Sequence, residues 1–114
     1  MSEPSSIDQP PPREERPDLP AVWDLVIADV EAGVQPLSAE SMPLAMMLEV
    51  VRVSALMLGR DLIADMRERD RVGRARYGVP LQPHNGRNAR LDAYAEVLDA
   101  IAYTRQDIYE RTGR

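Results

Sequence analysis

The chain reads as a small all-α protein, a helical bundle completed by oligomerisation behind a disordered N-terminal tail, and three observations carry that expectation. First, 44% hydrophobic content comes with one Trp, four Tyr and no Phe, so the core must be built from aliphatic side chains and the six Met. Such a core suits helices better than sheets, where aromatic and β-branched residues dominate. Second, Leu91, Tyr94, Leu98, Ile101 and Ile108 follow at steps of three, four, three and seven, which is one stripe of a 3.6-residue repeat. Third, six of the ten prolines fall within the first twenty residues. Proline removes donors and fixes φ, and few apolar side chains accompany it there, so 1–20 is predicted to stay disordered or extended. A proline-motif ligand is the competing use of that tail. The helical domain is then 21–114, and about ninety residues make a marginal domain alone.

The elements follow in order. Pro20 opens a first helix whose apolar positions are Ala21, Val22, Leu25, Val26 and Ala28 to Val30, with Gly33 as its stop; a strand competes, because Val26, Ile27 and Val30 are β-branched. Pro36 and Ser38 to Ser41 mark a loop. Ser41 is expected to cap a second helix with Pro43 in its first turn. From Leu44 to Leu58 that helix is apolar almost all round, and such a helix is buried on every side; in so short a chain, a second copy is the simplest cover. Gly59 bends or breaks it. Arg60 to Arg76 is charged, with Leu62, Ile63, Met66 and Val72 as its apolar positions. Tyr77 to Asn88 is a loop with an Asn85-Gly86 turn, and Asn88 caps a last helix from about Ala89 to Arg111. Asp24-Leu-Val-Ile-Ala-Asp29 echoes Asp61-Leu-Ile-Ala-Asp65, but two short copies make no solenoid.

Composition excludes several classes of function. With no cysteine there is neither a disulfide framework nor a thiolate zinc site, and the single histidine, His84, leaves no second imidazole for one. A net charge of −5 argues against binding along duplex nucleic acid. The seventeen-residue apolar stretch Met42 to Leu58 is interrupted by Glu49 and Arg52 and is short for a membrane span. No basic start precedes an apolar core, so a cytoplasmic location is expected. All fourteen basic residues are Arg, which suits bidentate phosphate contacts, although a coding bias explains the absence of Lys as well. No phosphate-binding Gly-rich loop, nucleophile elbow or nucleic-acid motif is present.

Chemistry is concentrated on the last two helices. Asp92, Glu96, Asp99 and Tyr103 follow at steps of four, three and four, which sets three carboxylates on one face beside the apolar stripe. Asp65 and Glu68 form a second pair on the preceding helix. Antiparallel packing of the two helices across the Tyr77–Asn88 loop brings the four carboxylates together, an oxygen-rich set of the kind hard divalent ions take. The alternative is a pair of solvated faces neutralised by arginine, through Asp65–Arg69, Glu68–Arg71 and Asp99–Arg105. His84 reads as an exposed turn residue, Trp23 as a cap on the core, and Glu49 as a partner for Arg52 of a second copy.

Asp65-x-x-Glu68, twenty-seven intervening residues, then Glu96-Val-Leu-Asp99 resembles the paired acidic signature of MazG-like all-α nucleoside triphosphate pyrophosphohydrolases. The run Arg76-Tyr77-Gly78…Pro80-Leu81…Asn85-Gly86-Arg87…Asp92-Ala93-Tyr94…Glu96…Leu98-Asp99 also resembles small phage-type proteins placed near that group. The resemblance covers Asp61 to Gln106. Position 65 is Asp where the family has Glu, and Arg must serve where the family uses Lys on phosphate. The resemblance implies Mg²⁺, or Mn²⁺, held by Asp65, Glu68, Glu96 and Asp99, with Glu96 and Asp99 the catalytic pair. It further implies a nucleoside triphosphate substrate split into monophosphate and pyrophosphate, Arg87 on phosphate oxygens, and Tyr103 orienting a water or flanking the base. The competing reading is a non-catalytic helical module that forms a homo-oligomer, or binds a partner protein, through the 42–58 helix.

Overall fold

The computed structural model describes residues 9–33 and 40–114; the loop signal at Pro36 and Ser38 and the tail's Pro4 lie outside them. The described residues form four helices and no strand: α1 (Val22–Ala32), α2 (Met42–Leu58), α3 (Leu62–Tyr77) and α4 (Ala89–Thr112). The all-α expectation holds, and the β-branched Val26, Ile27 and Val30 sit in a helix. The chain divides into two units. One is Glu14–Asn85, with α1, α2 and α3; the other is Gly86–Arg114, which is α4 and its N-terminal turn, together with the segment ending at Arg13.

Within the first unit, α3 packs against both α1 and α2. Ile27 of α1 and Met66 of α3 are buried, as are Ala21 and Pro80. Glu31 of α1 approaches Arg67 of α3 at 3.9 Å. The start of α1 is not capped by a side chain: Ala21 is extended and has nothing to offer. Instead the Val22 N–H, an orphan of the helix start, donates to the Leu81 carbonyl at 2.7 Å. The loop after α3 thus supplies the cap that the sequence lacks locally.

Gln82 fastens the same region. Its side-chain oxygen accepts from the Arg16 N–H at 2.9 Å, and its amide nitrogen donates to the carbonyls of Arg16 at 2.8 Å and Leu19 at 3.0 Å. A buried amide that pairs with both backbone groups of one residue behaves like a piece of neighbouring strand. Residues 9–20 accordingly have no regular structure, as expected of a proline-rich segment, yet Arg16 and Leu19 are held in place.

α2 ends at Gly59, whose left-handed φ of 65° lets its N–H reach back to Leu56 and Ala55, and α3 leaves at 109° to it. Ser41 occupies the N-cap position but is in the right-handed helical region, and its side chain makes no cap bond; a capping serine needs extended φ and ψ to aim its oxygen at the helix. Pro43 is in the first turn, as expected. Asp61 caps α3, accepting from the Ala64 N–H at 3.0 Å.

No residue of α2 is buried. Ala45, Leu48 and Ala55 are half-buried, while Met46, Val50, Leu56, Met57 and Leu58 are each more than half exposed. The expectation that this helix is covered all round is not met by the chain's own residues in this unit. Among the described residues, no single helix is long and apolar enough to cross a membrane.

In the second unit, Asn88 caps α4 as expected, its side-chain oxygen accepting from the Leu91 N–H at 3.1 Å. The helix closes at Gly113, whose N–H donates to the Tyr109 carbonyl at 2.7 Å. The stripe Leu91, Tyr94, Leu98, Ile101 and Ile108 runs along it, and no residue of α4 is buried.

Candidate functional site

The acidic residues singled out by the sequence meet different fates. Asp65, in the first turn of α3, takes two hydrogen bonds from Arg60, Nε to Oδ2 at 3.0 Å and Nη2 to Oδ1 at 2.6 Å. Arg60 follows Gly59, and the bend there brings it over the start of α3, so the partner is Arg60 rather than Arg69. Glu68 is held the same way by Arg71, one turn on, with Nε donating to Oε2 at 2.8 Å and Nη2 to Oε1. In both cases the guanidinium hydrogen bond is the largest influence, and it holds the carboxyl below its ordinary range. Both pairs are solvent-exposed.

Glu49 also pairs within its own helix, with Arg52 one turn away, and that hydrogen bond lowers its pKa. The Arg52 partner expected from a second copy is supplied here by the same chain.

Asp92 lies in the first turn of α4 and is the most engaged carboxylate of the second unit. Arg87 donates to both of its oxygens, Nε to Oδ2 at 2.9 Å and Nη2 to Oδ1 at 2.8 Å, and Gln9 Nε2 donates to Oδ1 at 2.7 Å. The Arg87 hydrogen bonds lower the Asp92 pKa most, burial opposes them, and the Gln9 bond adds to the lowering. Arg87 Nη1 donates to the Pro10 carbonyl at 2.6 Å. Gln9 Nε2 reaches the Asn88 carbonyl at 3.1 Å and its oxygen accepts the Asn88 N–H. The residue expected on phosphate oxygens therefore has all three guanidinium nitrogens donating to protein. The N-terminal segment lies across the start of α4.

Glu96 and Asp99 stand apart from these. Both are exposed, one turn from each other, and neither has a hydrogen bond or ion pair to a described residue. Their neighbours on α4 are matched: Asp92 by Arg87, Asp107 by Arg111 and Glu110 by Gln106. The expected Asp99–Arg105 pair is absent, because Arg105 donates to the Arg114 carbonyl at the helix end. Tyr103, one turn further along, is 69% exposed.

α3 and α4 belong to different units. Among the described residues no three His, Asp or Glu side chains gather closely enough to hold a metal ion. His84 is an exposed turn residue, as expected, in a left-handed conformation with φ 59°. Gln9 and Gln82 were not legible as important: a glutamine carries no positional signature, and both act across more than sixty residues. No family model matches the chain, and neither a curated protein nor a solved structure does.

Proposed function

We propose that this chain is a subunit of a Mg²⁺-dependent nucleoside triphosphate pyrophosphohydrolase, with copies associating through Met42–Leu58. The observation that carries the reading is the selective isolation of Glu96 and Asp99. On a helix whose other carboxylates are matched by side chains of the same unit, this pair is left open, and it is the pair that completes the Glu-x-x-Asp half of the resemblance.

Two adjacent carboxylates suit the proposed ion, since Mg²⁺ is commonly held by one or two carboxylates plus substrate phosphates and water. When bound, Mg²⁺ supplies neutralisation of the triphosphate and an acidified water. Glu96 and Asp99 would provide oxygen ligands. Asp65 and Glu68 are each held by an arginine, Arg60 and Arg71, so either would take an ion only by giving up that pair. Arg87 is engaged by Asp92 and Pro10, so its part in binding requires the Pro10 contact to open. Tyr103 offers an exposed ring beside Asp99 for a base. A cytoplasmic location goes with this reading, because the substrate is a cytoplasmic metabolite class.

The second reading, a non-catalytic helical association module, is favoured by the exposed apolar faces of α2. The test is pyrophosphate release from a panel of nucleoside triphosphates with Mg²⁺ or Mn²⁺. Turnover by the wild type, lost in Glu96→Gln and in Asp99→Asn with helicity unchanged, is the expected result. Full turnover in either variant rejects the site. No release from any triphosphate, by a chain that still associates, leaves the module.

A further inference from the structure

We infer that Gln9 to Arg13 form a releasable autoinhibitory strap across the start of α4, one that competes with phosphate oxygens for the same donors. The inference deepens the proposed function: it rests on Arg87 as the phosphate contact of that reading and adds what controls access to it.

Three consecutive residues leading into α4 each receive part of the strap. Gly86, at φ 86°, carries no side chain where Arg13 lies, and a Cβ built there would be 2.8 Å from Arg13 Nε. Arg87 Nη1 donates to the Pro10 carbonyl at 2.6 Å. The Asn88 backbone N–H donates to the Gln9 side-chain oxygen, while Gln9 Nε2 donates to the Asn88 carbonyl at 3.1 Å and to Asp92 Oδ1 at 2.7 Å. At many helix starts a Glu or Gln three residues after the cap accepts the cap residue's N–H. Here that position is Leu91, whose side chain has no acceptor, and Gln9 does the same work from seventy-nine residues away.

The strap is built to open. None of residues 9–13 is buried: Gln9 and Pro12 are half-buried, and Pro10, Pro11 and Arg13 are exposed. A few water-accessible hydrogen bonds hold it, each of small net value, with little apolar burial behind them. Pro10, Pro11 and Pro12 fix φ and limit the entropy that ordering costs, so bound and released forms lie close in free energy. The anchor at Arg16 and Leu19 is of another kind, because the Gln82 that holds them is 7% exposed. Between the two anchors, Glu14 and Glu15 are exposed and make no hydrogen bond or ion pair to a described residue. Release pivots there, and the segment stays tethered at Arg16.

Release frees two donors, Arg87 Nη1 and the Asn88 N–H, at the positive pole of a twenty-four-residue helix. In the strapped form both serve uncharged oxygens, those of Pro10 and Gln9. A phosphate oxygen is the stronger, charged acceptor for either, and it takes them only when the strap has left. Arg87 Nε and Nη2 bond to Asp92, which keeps the guanidinium at the helix start in both forms.

The test compares the full chain with Gln9→Ala. Calorimetric titration with magnesium tripolyphosphate is expected to show roughly tenfold tighter binding by Gln9→Ala, and the Asn88 amide is expected to exchange at least about tenfold faster in it. Exchange at Ala64, in the first unit, should not change. In an Arg87→Met background, adding Gln9→Ala is expected to bring no gain in binding. An Asn88 amide that exchanges equally fast in both chains overturns the strap. Equal binding by the two chains, or binding by neither, overturns its autoinhibitory role. Pyrophosphate release separates the two readings. A binding gain without turnover of any nucleoside triphosphate rejects the hydrolase and keeps the strap, whereas turnover with equal binding does the reverse.

Discussion

Replacing Gln82 by alanine removes three hydrogen bonds at once: the one its oxygen accepts from the Arg16 N–H and the two its amide donates to the Arg16 and Leu19 carbonyls. At about 1 kcal/mol net for a neutral hydrogen bond, the three together are worth about 3 kcal/mol. Arg16 is exposed, so water can reach part of what is released and the full penalty of buried orphans does not apply. For a unit of this size the loss corresponds to a fall of roughly 12–24 °C in melting temperature. Circular dichroism during heating measures it. Gln82→Glu sharpens the test, since a carboxylate still accepts from the Arg16 N–H but now opposes two carbonyl oxygens. It is expected to be at least as destabilised as Gln82→Ala at pH 7, and to recover as acid protonates it and restores a donor. A change below about 0.5 kcal/mol in Gln82→Ala, or a Gln82→Glu chain as stable as wild type, refutes the assignment of Gln82 as the clamp. Lost turnover with an unchanged melting curve would instead make the loop part of a binding site.

Two further outcomes follow from the second unit. Arg87 depresses the Asp92 pKa, so the contribution of Asp92 is present above the ordinary carboxylate value of about 3.9 and is lost as pH falls through the depressed one. The helicity gap between wild type and Asp92→Asn should therefore persist at pH 5 to 7 and close in stronger acid; a gap unchanged down to pH 2 refutes the role of the pair. Gly86 has φ 86°, and a Cβ there would lie 2.8 Å from Arg13 Nε. Gly86→Ala is expected to destabilise by more than about 1 kcal/mol and to loosen the N-terminal segment, seen as faster amide exchange at Asn88 and Leu91; wild-type exchange rates would contradict that.

How much of this was legible beforehand depends on the range of each interaction. Asn88 as cap, Gly33 and Gly59 as stops and Pro43 in a first turn are satisfied within four residues or fewer, and all appear where expected. Ser41 shows the limit of the local rule, since the residue type was suitable but the backbone entered the helix in the wrong conformation. Glu68–Arg71 was predictable because one helical turn joins them. Asp65–Arg60 was not, because it depends on the 109° bend at Gly59.

The candidate site divides along the same line. Spacing alone set Glu96, Asp99 and Tyr103 on one helix face, and nothing about that face needed other elements. Which carboxylates are matched was decided mostly by partners three to five residues away, with Gln9 on Asp92 the long-range addition. The guanidinium of Arg87 was expected to face a phosphate; Asp92, five residues on, takes two of its nitrogens, and the N-terminal segment across the start of α4 brings the Pro10 carbonyl to the third and Gln9 to Asp92 and Asn88.

The sequence by itself determined that this is a helical chain, where its last helix is capped and its first two stop, and which of its helices is apolar on nearly every side, because periodicity and capping are properties of a few adjacent residues. Only the tertiary structure decided that Gln82 holds the proline-rich segment, that Arg87 also donates to the Pro10 carbonyl, and that no residue of α2 is buried. The contacts of Gln82 and Pro10 join residues more than sixty positions apart, and no local pattern encodes which distant backbone groups a side chain will meet when the chain closes on itself.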